Sequence, residues 1–554
     1  MSEEMFQATV GERTGNYPIG TPYGEILTEL APEKLSDTML ILADGTLREL
    51  HKPLLGDCRI ECVMRSSEIG RETYKRSLNY LFLKALRDVT GKDISIQAVL
   101  GFANSNGLYY TVSGREANDT LAEAVCSRMK ELVSAKLPIV KEKVKTAYAG
   151  MMFAKQGMKD KKDLFRFRRG SLVNTYHLED YYDYCYGFMV WHTGYLPYFD
   201  VSSYEGGLVL VLPDAADGKT MRPFRPYPKV FRVQQLSEKW GDRQGINTVA
   251  DLNHAVTVQQ FSQQMLVTEA LQEGRIAEIA AEIQKRGNVR FVMIAGPSSS
   301  GKTTFSRRLS IQLMARGLTP HPLSLDNFYR DRTECPRDEN GEYDFECLEA
   351  LDVDLIMQTL ADLQQGKRVE IPYFNFLTGS PEYKGNYLQL HDDDIMVIEG
   401  IHGLNPKLSE KLPDGSVYRI YISALTTLNI DAHNYIPTTD ARLLRRIVRD
   451  YYHRGTSACE TIERWTSVRN GEEKYIFTNQ ENADEMFNSS LLYELSILKV
   501  YAEPLLYQVP TDKPAYLEAN RLLKFLDYFL GHPSEDVPKN SILREFIGGS
   551  CFDV

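Results

Sequence analysis

The sequence contains no apolar run long enough to cross a membrane and no CxxC pair, and its acidic residues outnumber its basic ones. The missing apolar run excludes a transmembrane helix. The first residues, MSEEMFQATVGERTG, contain no secretory apolar region, so we expect a cytoplasmic protein. The eight cysteines are scattered, which predicts reduced thiols and no zinc site. The net charge of −11 argues against a surface that coats nucleic acid.

What remains is the composition of an ordinary globular protein, with 43% hydrophobic and 25% charged residues in 554. Turn signals and apolar periodicity divide the chain into four predicted regions. Asp44-Gly45 between apolar runs predicts a hairpin, and four prolines in 213–230 predict a linker. The predicted regions are a small β-rich domain at 1–62, an α+β domain at 63–225, a helical connector at 226–285 and an α/β domain at 286–554.

Residues 291–304, FVMIAGPSSSGKTT, contain a phosphate-binding P-loop pattern between a predicted buried strand and a predicted helix. Glycines allow the backbone to turn tightly around an anion, and successive N–H groups at the helix start bind phosphate oxygens. We expect Lys302 to reach the β- and γ-phosphates and Thr303 to ligate Mg²⁺. The predicted nucleotide-binding residues of the loop are Gly296, Ser298, Ser299, Ser300, Gly301, Lys302, Thr303 and Thr304.

Two carboxylates follow predicted strands of the same α/β region. Asp326 ends the strand-like run HPLSLD, and Glu399 ends DIMVIE. Ligands of open α/β sheets bind at the carboxyl ends of the strands, so we expect both acids near the P-loop. Asp326 would accept a proton or hold Mg²⁺, and Glu399 would face Mg²⁺. A capping or turn role for Asp326 is the alternative.

Residues 440–454, DARLLRRIVRDYYHR, predict an amphipathic helix that carries five arginines. Arginines bind phosphates and stabilise a phosphoryl group in transfer, so we expect this helix to close on the nucleotide. A surface helix with ion pairs between Arg446 and Asp450 is the alternative. A second basic run, 159–170, predicts either a strand or loop edge that touches RNA or, as we favour, a solvated charged hairpin.

Residues 291–500 resemble the uridine kinase and phosphoribulokinase family, and the likeness lies in seven ordered segments. These segments are GPSSSGKTT, SLDNFYR, YDFECLEALD, IPYFNF, VIEGIHGL, DARLLRRIVRD and HRGTSACETIERW. The resemblance implies a P-loop kinase fold, a parallel sheet flanked by helices. It also implies transfer of a phosphoryl group from ATP, with GTP as the alternative donor, and Mg²⁺ to a sugar hydroxyl, most simply the 5′-OH of uridine or cytidine.

The resemblance also assigns roles to individual positions. Asp326 matches the catalytic base, and Lys302 and Arg449 complete the catalytic set. Arg449 and Arg454 match arginines that reach ATP phosphates, and Thr303, Asp326 and Glu399 are the implied metal ligands. The residues that the resemblance places at the acceptor are Tyr329, Asp344, Phe374, Phe376 and Arg446. Asp344 would hold the ribose hydroxyls, and the two phenylalanines would stack near the base.

Two positions depart from the family pattern. Gly379 stands where the family has a base-reading histidine, and Thr456 stands where it has an arginine. A pocket without such polar contacts discriminates poorly between bases. These two departures leave the prediction of a kinase unchanged, but they leave the identity of the acceptor undetermined.

The N-terminal half resembles a TGS domain (20–56) followed by the editing-type second domain of threonyl-tRNA synthetase (63–212). The resemblance implies a β-grasp-like module and an α+β module. RSLNYLFLKAL, NGLYYTV and YHLEDYYDYCYGFMVWHTGY carry the likeness of the second. Its metal-binding positions are Arg76, Tyr80, Cys185 and Met189 here, and one thiolate cannot hold zinc. We interpret this half as a degenerate binding or scaffolding module.

Three functional hypotheses follow. The first is a nucleoside kinase, and the second is a kinase of another sugar or a vitamin precursor. The third is a regulator associated with RNA or tRNA that uses the P-loop as a nucleotide switch, without membrane association. Asp326 favours an enzyme, since a switch does not need that carboxylate. Homo-oligomerisation is left open by the sequence.

Overall fold

The computed structural model describes residues 4–337, 341, 343–375 and 378–553. The chain divides into two compact units. The first unit is Met1–Tyr227 together with Asn429–Tyr435, and the second is Pro228–Leu428 together with Ile436–Val554. Phe376 lies outside the described residues. The further separation of 1–62 from 63–225 stays a prediction.

The strands are β1 (Met5–Val10), β2 (Arg13–Pro18), β3 (Thr38–Ala43), β4 (Thr46–Arg48), β5 (Cys58–Met64), β6 (Gln97–Asn104), β7 (Gly107–Ser113), β8 (Val140–Lys145), β9 (Leu172–Leu178), β10 (Tyr181–Asp183), β11 (Asp200–Tyr204), β12 (Gly207–Val211), β13 (Phe291–Ala295), β14 (Thr319–Ser324), β15 (Val369–Glu370), β16 (Tyr373–Asn375), β17 (Ser380–Glu382), β18 (Tyr387–Leu388), β19 (Asp394–Glu399), β20 (Val417–Ser423), β21 (Asn429–Asp431), β22 (Asn434–Tyr435) and β23 (Glu485–Asn488).

The α-helices are α1 (Tyr23–Leu30), α2 (Pro32–Leu35), α3 (Glu68–Val89), α4 (Asp119–Ser134), α5 (Thr146–Lys155), α6 (Lys159–Phe165), α7 (Pro228–Gln244), α8 (Val249–Thr257), α9 (Phe261–Arg286), α10 (Lys302–Met314), α11 (Val353–Gln364), α12 (Thr438–Arg454), α13 (Ala458–Gly471), α14 (Glu494–Tyr507), α15 (Ala515–Leu526) and α16 (Arg544–Ile547).

The first unit contains three β-sheets of three or more strands. The strand orders are β2-β1-β5-β3-β4, β10-β9-β8 and β11-β12-β7-β6. The predicted hairpin is present, because β3 and β4 pair antiparallel and both Asp44 and Gly45 have positive φ. The unit is therefore α+β, and its likeness to a TGS domain and a synthetase domain stays a prediction.

The antiparallel hairpin β21–β22 belongs to the first unit although it lies 200 residues further along the chain. A fully buried ion network fixes it there. Lys161 Nζ lies 3.2 Å from an Asp431 carboxylate oxygen and also pairs with Asp183. His433 Nδ1 lies 2.6 Å from the other Asp183 oxygen. Unpaired buried charges are costly, so the hairpin supplies partners that Lys161 and Asp183 need.

The positions at which the synthetase resemblance implies zinc ligands make ordinary internal contacts. The Arg76 guanidinium donates to the Phe188 carbonyl at 2.9 Å, and the Tyr80 hydroxyl donates to the Tyr181 carbonyl at 2.9 Å. Burial raises the pKa of the Cys185 thiol well above its usual value, which disfavours the thiolate that zinc requires. The expectation that the protein binds no zinc stays a prediction.

The first part of the basic run forms helix α6, and 166–170 follow as a turn and irregular chain, so the run forms neither a strand edge nor a hairpin. Lys159 and Lys162 of the helix and Arg166 directly after it are exposed, whereas Lys161 points inward and is fully buried. On a helix, residues three or four positions apart share a face, so adjacent residues such as Lys161 and Lys162 can lie in different environments, one buried and one exposed.

The second unit contains the predicted parallel sheet, in the order β14-β19-β13-β20-β23. Every neighbouring pair of its strands is parallel. β13 is buried along its whole length, as expected for a sheet covered on both faces. The helices α7 to α9 belong to this unit. Within the described ranges, every helix is too short or too polar to cross a lipid bilayer.

Candidate active site

The loop between β13 and α10 has the backbone geometry of an anion cradle. Gly301 and Ser299 both have positive φ, at 82° and 58°. A Cβ on Gly296 would lie 2.0 Å from the Ile422 carbonyl oxygen of β20, so only glycine fits there. The loop ends on the first turn of α10, where unpaired N–H groups and the helix dipole favour a negative charge.

The Lys302 side chain folds back over this loop. Its ammonium group donates to the Gly296 and Pro297 carbonyls at 3.0 and 3.1 Å. Burial lowers the pKa of Lys302, while the negative charges of Glu399 and Asp326 oppose that shift. The three side chains therefore interact electrostatically at the mouth of the loop.

Asp326 and Glu399 meet because their strands are neighbours. β14 pairs parallel with β19, with Ser324 opposite Glu399, and Asp326 follows in a short 3₁₀ turn. Burial and the charge of Asp326 raise the pKa of Glu399 to about 7. Burial also raises the pKa of Asp326, and the cations Lys302, Arg454 and Arg449 act against it. Two half-buried acids that interact electrostatically favour a bound proton or a neighbouring cation.

The arginines of α12 divide into two groups. Arg442 and Arg445 are almost fully buried, donate to the Ser298 and Ser299 carbonyls at 2.9 and 3.3 Å, and form ion pairs with Glu472 and Glu494. These two arginines fix the P-loop to the helix and are not available to a ligand.

The second group surrounds one buried carboxylate, Asp450. Its oxygens lie 3.2 Å from Arg446 Nε, 2.9 Å from Arg449 Nη2 and 3.6 Å from Arg454 Nη1. Arg446 also donates to the Ser298 hydroxyl at 2.8 Å. Arg449 and Arg454 act electrostatically on Asp326. This group therefore presents positive charge beside both the loop and the acid pair.

Three other predicted acceptor residues, Tyr329, Phe374 and Asp344, make contacts within the protein. The Tyr329 ring lies 5.5 Å from the Phe374 ring, and its hydroxyl donates to the Phe345 carbonyl at 3.2 Å. Phe374 is itself buried, which limits the stacking surface that it offers. Asp344 accepts a hydrogen bond from the Tyr475 hydroxyl at 2.9 Å. Phe376 is outside the described residues.

Sequence reasoning missed Glu346, two residues after Asp344. Burial raises the pKa of its carboxyl to about 7, and it interacts electrostatically with Arg446, Lys302 and Asp326. Glu346 is therefore close enough to these three groups to act on them electrostatically, whereas Asp344 is held by Tyr475. The chain turns after Asp344, whose carboxylate accepts from the Glu346 N–H at 3.1 Å, so no strand periodicity in the sequence could have separated the roles of the two acids.

Two further acids bind the P-loop directly and were also missed. A Glu472 oxygen accepts from the Ser298 N–H at 2.9 Å. A Glu545 oxygen accepts from both the N–H and the hydroxyl of Thr304, at 3.0 and 2.8 Å. Their partners are 174 and 241 residues away along the chain, and no local sequence signal links them.

A P-loop, two strand-end carboxylates and an arginine helix together define the class of P-loop phosphotransferases. Residues 291–492 match the phosphoribulokinase / uridine kinase family. The chain is 35% identical over 182 residues to a uridine kinase of Schizosaccharomyces pombe, a match that covers 32% of this chain and 35% of that protein. It is 30% identical over 192 residues to a uridine kinase of Staphylococcus aureus, covering 34% of this chain and 83% of that protein. The chain belongs to the phosphoribulokinase / uridine kinase family.

Two solved structures are also similar to part of the chain. The structure of a possible uridine kinase from Bacillus stearothermophilus is 20% identical, with a TM-score of 0.27, and the match covers 39% of this chain and 98% of that one. A putative fructose transport system kinase from Silicibacter is 17% identical, with a TM-score of 0.26, covering 38% and 98%. The family places the C-terminal region among phosphotransferases with an alcohol acceptor.

Proposed function

We propose that the protein is an ATP- and Mg²⁺-dependent kinase that phosphorylates the 5′-hydroxyl of a nucleoside, with uridine and cytidine as the first candidates. The observation that carries the proposal is the position of Asp326, half-buried beside Lys302 and Glu399 at the strand ends. A carboxylate there can accept the hydroxyl proton of an acceptor that faces the P-loop. Its raised pKa makes it a stronger proton acceptor than an exposed aspartate.

The residues present suit Mg²⁺. Among the described residues, no group of three or more His, Cys, Asp or Glu side chains could hold a metal ion alone. Mg²⁺ is commonly bound by one or two protein oxygens together with phosphates and water, and Thr303, Asp326 and Glu399 offer such oxygens. When bound, Mg²⁺ would neutralise charge on the phosphate oxygens. Lys302, Arg449 and Arg454 would supply the remaining positive charge.

We assign the acceptor's sugar to Glu346, Asp344 and Tyr329. Glu346 faces Arg446 and Asp326, so its carboxylate can accept hydrogen bonds from vicinal hydroxyls close to the transferred group. The base would meet Phe374 and the segment around Gly379. Gly379 has a φ of 76°, and a Cβ there would lie 3.0 Å from Arg332 Nε. A larger base-reading side chain is therefore disfavoured at this position, which supports a tolerant pocket.

The test is turnover with labelled ATP and with GTP across a panel of nucleosides, sugars and vitamin precursors. Losing one well-placed polar contact reduces discrimination by about 1–3 kcal/mol, so we expect kcat/KM for several nucleosides to agree within roughly a hundredfold. Preference for uridine over cytidine and purine nucleosides by more than about a thousandfold would contradict the tolerant pocket. Turnover of a sugar with no nucleoside activity would instead support the second hypothesis.

A second candidate function, an RNA-associated regulator, is favoured by the exposed face of α6. Lys159, Lys162 and Arg166 form no ion pair with any residue that the structure describes. Arg166 lies 5.9 Å from the Phe167 ring, so an aromatic surface accompanies the cations. Cations interleaved with aromatic side chains suit single-stranded nucleic acid.

Fluorescence anisotropy with a labelled RNA at several salt concentrations tests this candidate. Replacing the three cations by glutamine should lower the slope of log affinity against log salt by about three. The matched control replaces three exposed lysines elsewhere, Lys130, Lys285 and Lys411, by glutamine. An equal reduction of the salt slope in both triple variants would mean that RNA binding depends only on the net charge of the protein, and this candidate function would be rejected.

A further inference from the structure

The N-terminal turn of α10 is occupied by a carboxylate from the chain's own C-terminal segment. Both the N–H and the hydroxyl of Thr304 donate to the same Glu545 oxygen, at 3.0 and 2.8 Å. Thr304 is fully buried and is the third residue of the helix, so its N–H is one of the donors that the helix cannot satisfy internally. These are donors that a P-loop directs at phosphate.

The C-terminal segment (residues 541–547) is anchored independently of Glu545. The Arg544 guanidinium donates to the Ser534 and Val537 carbonyls at 2.8 and 2.7 Å. Phe546 is fully buried with the Arg445 guanidinium 5.0 Å from its ring. Ile542 lies so close to Gly301 that a Cβ there would be 2.4 Å from its methyl group. The segment therefore presents Glu545 to the loop and does not depend on it for docking.

The charge of Glu545 acts on the same groups as a nucleotide would. It interacts electrostatically with Lys302 and with Glu399. A phosphate at the start of α10 would need the Thr304 donors and would meet a negative charge beside it. The carboxylate and the phosphate therefore compete for one subsite.

We propose that Glu545 is a built-in competitor of the nucleotide phosphate, which the nucleotide displaces when it binds. The proposal rests on the nucleotide site of the proposed function but concerns affinity and not turnover. The alternative is a structural cap, in which Glu545 only stabilises α10. The two roles predict different changes in nucleotide affinity, because removing a competitor tightens nucleotide binding whereas removing a helix cap does not.

The first experiment is calorimetric titration of the full chain with Mg·ADP. Glu545→Gln keeps the shape of the side chain and removes its charge. We expect about twofold to thirtyfold tighter binding, the range that a charge at a helix N-terminus implies. The matched control is Glu535→Gln, an exposed glutamate nearby in the chain, which should bind like the wild type. Binding by Glu545→Gln that is equal to or weaker than the wild type would overturn the proposal.

The second experiment uses the wild type, so it does not depend on a variant that folds. Because the segment stays docked, the readout is the Glu545 carboxyl itself: in protein labelled with 13C-glutamate, saturating Mg·ADP should shift the Glu545 side-chain resonance towards that of an exposed glutamate, since Glu545 leaves Thr304. An unshifted Glu545 resonance at saturation would overturn the proposal while leaving the nucleotide site intact. If neither the wild type nor Glu545→Gln binds ADP or ATP, the proposed function itself fails, and the inference fails with it.

Discussion

The proposed chemistry depends on single side chains at the mouth of the P-loop. Lys302, Asp326 and Glu399 could be brought together from the sequence because parallel strands place their carboxyl ends at one edge. Glu346 and Glu545 could not. Glu346 depends on the orientation of an irregular segment, and Glu545 depends on a contact 241 residues away along the chain. Long-range contacts of single side chains have no periodic signature that a sequence could reveal.

Replacing Lys302 by alanine should abolish phosphoryl transfer and leave the fold intact. The change removes the cation that would contact the β- and γ-phosphates, while the loop's backbone geometry is fixed by Gly296 and Gly301. Turnover and circular dichroism are measured together. Lys285→Ala, at a side chain that is 81% exposed, is the control and should retain full activity. Near-normal turnover by Lys302→Ala would remove the P-loop from the active site.

Replacing Asp326 by asparagine should lower kcat by about 10²–10⁴ and change ATP affinity far less. The amide has nearly the same shape but cannot accept the acceptor's proton. Steady-state kinetics and nucleotide titration separate the two quantities, with the exposed Glu334→Gln as the control. A parallel loss of binding and turnover would make Asp326 chiefly a metal or structural residue.

The Mg²⁺ requirement should depend on pH. The pKa of Glu399 is raised to about 7, so its carboxyl is mostly neutral at pH 6 and mostly ionised at pH 8. Only the ionised form ligates a cation, and the half-saturating Mg²⁺ should be about tenfold higher at the lower pH. Asp326, Lys302 and Glu545 also face this group, and Glu346 titrates in the same range. Glu346→Gln should retain the shift, and a Mg²⁺ requirement that is flat between the two pH values would contradict the assignment.

At the scale of elements, α12 combines structural and functional arginines on one helix. Its amphipathic pattern and its length were predictable, and the helix spans Thr438–Arg454. The division of its arginines into structural and functional groups was not predictable, because it depends on which face of the helix contacts the P-loop. Arg442 and Arg445 form ion pairs with the buried acids Glu472 and Glu494. The other three arginines of the helix form ion pairs with Asp450.

Replacing Asp450 by asparagine should reduce kcat/KM by at least about tenfold, the factor that 1.4 kcal/mol of lost transition-state stabilisation implies. The amide retains the size of the side chain but no longer holds Arg446, Arg449 and Arg454 by charge. Glu463→Gln, an exposed acid on α13, serves as the control. A wild-type value of kcat/KM together with an unchanged melting temperature would show that the three arginines are oriented without Asp450.

At the scale of the whole molecule, the boundary between the two units is not a single position in the chain. The sequence predicts a domain boundary between residues 225 and 226, which stays a prediction, and the N-terminal stretch of the first unit ends at Tyr227. The return of Asn429–Tyr435 to that unit was not predictable, since a short hairpin carries no sign of the unit in which it packs. The buried ion network that includes Lys161 and Asp183 is complete only when Asp431 and His433 join it.

A fragment that ends at Tyr227 should therefore be less stable than the same fragment with residues 428–436 joined to it by a glycine-serine linker. Breaking a buried ion pair by removing one partner costs about 3–5 kcal/mol. Thermal unfolding followed by circular dichroism compares the two fragments. Equal melting temperatures would show that the hairpin is dispensable.

The hairpin Asn429–Tyr435 also affects how the protein is made. When the ribosome has completed residue 227, the first unit still lacks the partners of Lys161 and Asp183, which arrive about 200 residues later. At about 5–20 residues per second, that interval lasts roughly 10–40 s. During this time the nascent first unit carries the buried Lys161–Asp183 pair without these two further partners, while the strands of the second unit are being synthesised behind it. Codon usage, chaperone binding and temperature during that interval should therefore influence the yield of folded protein.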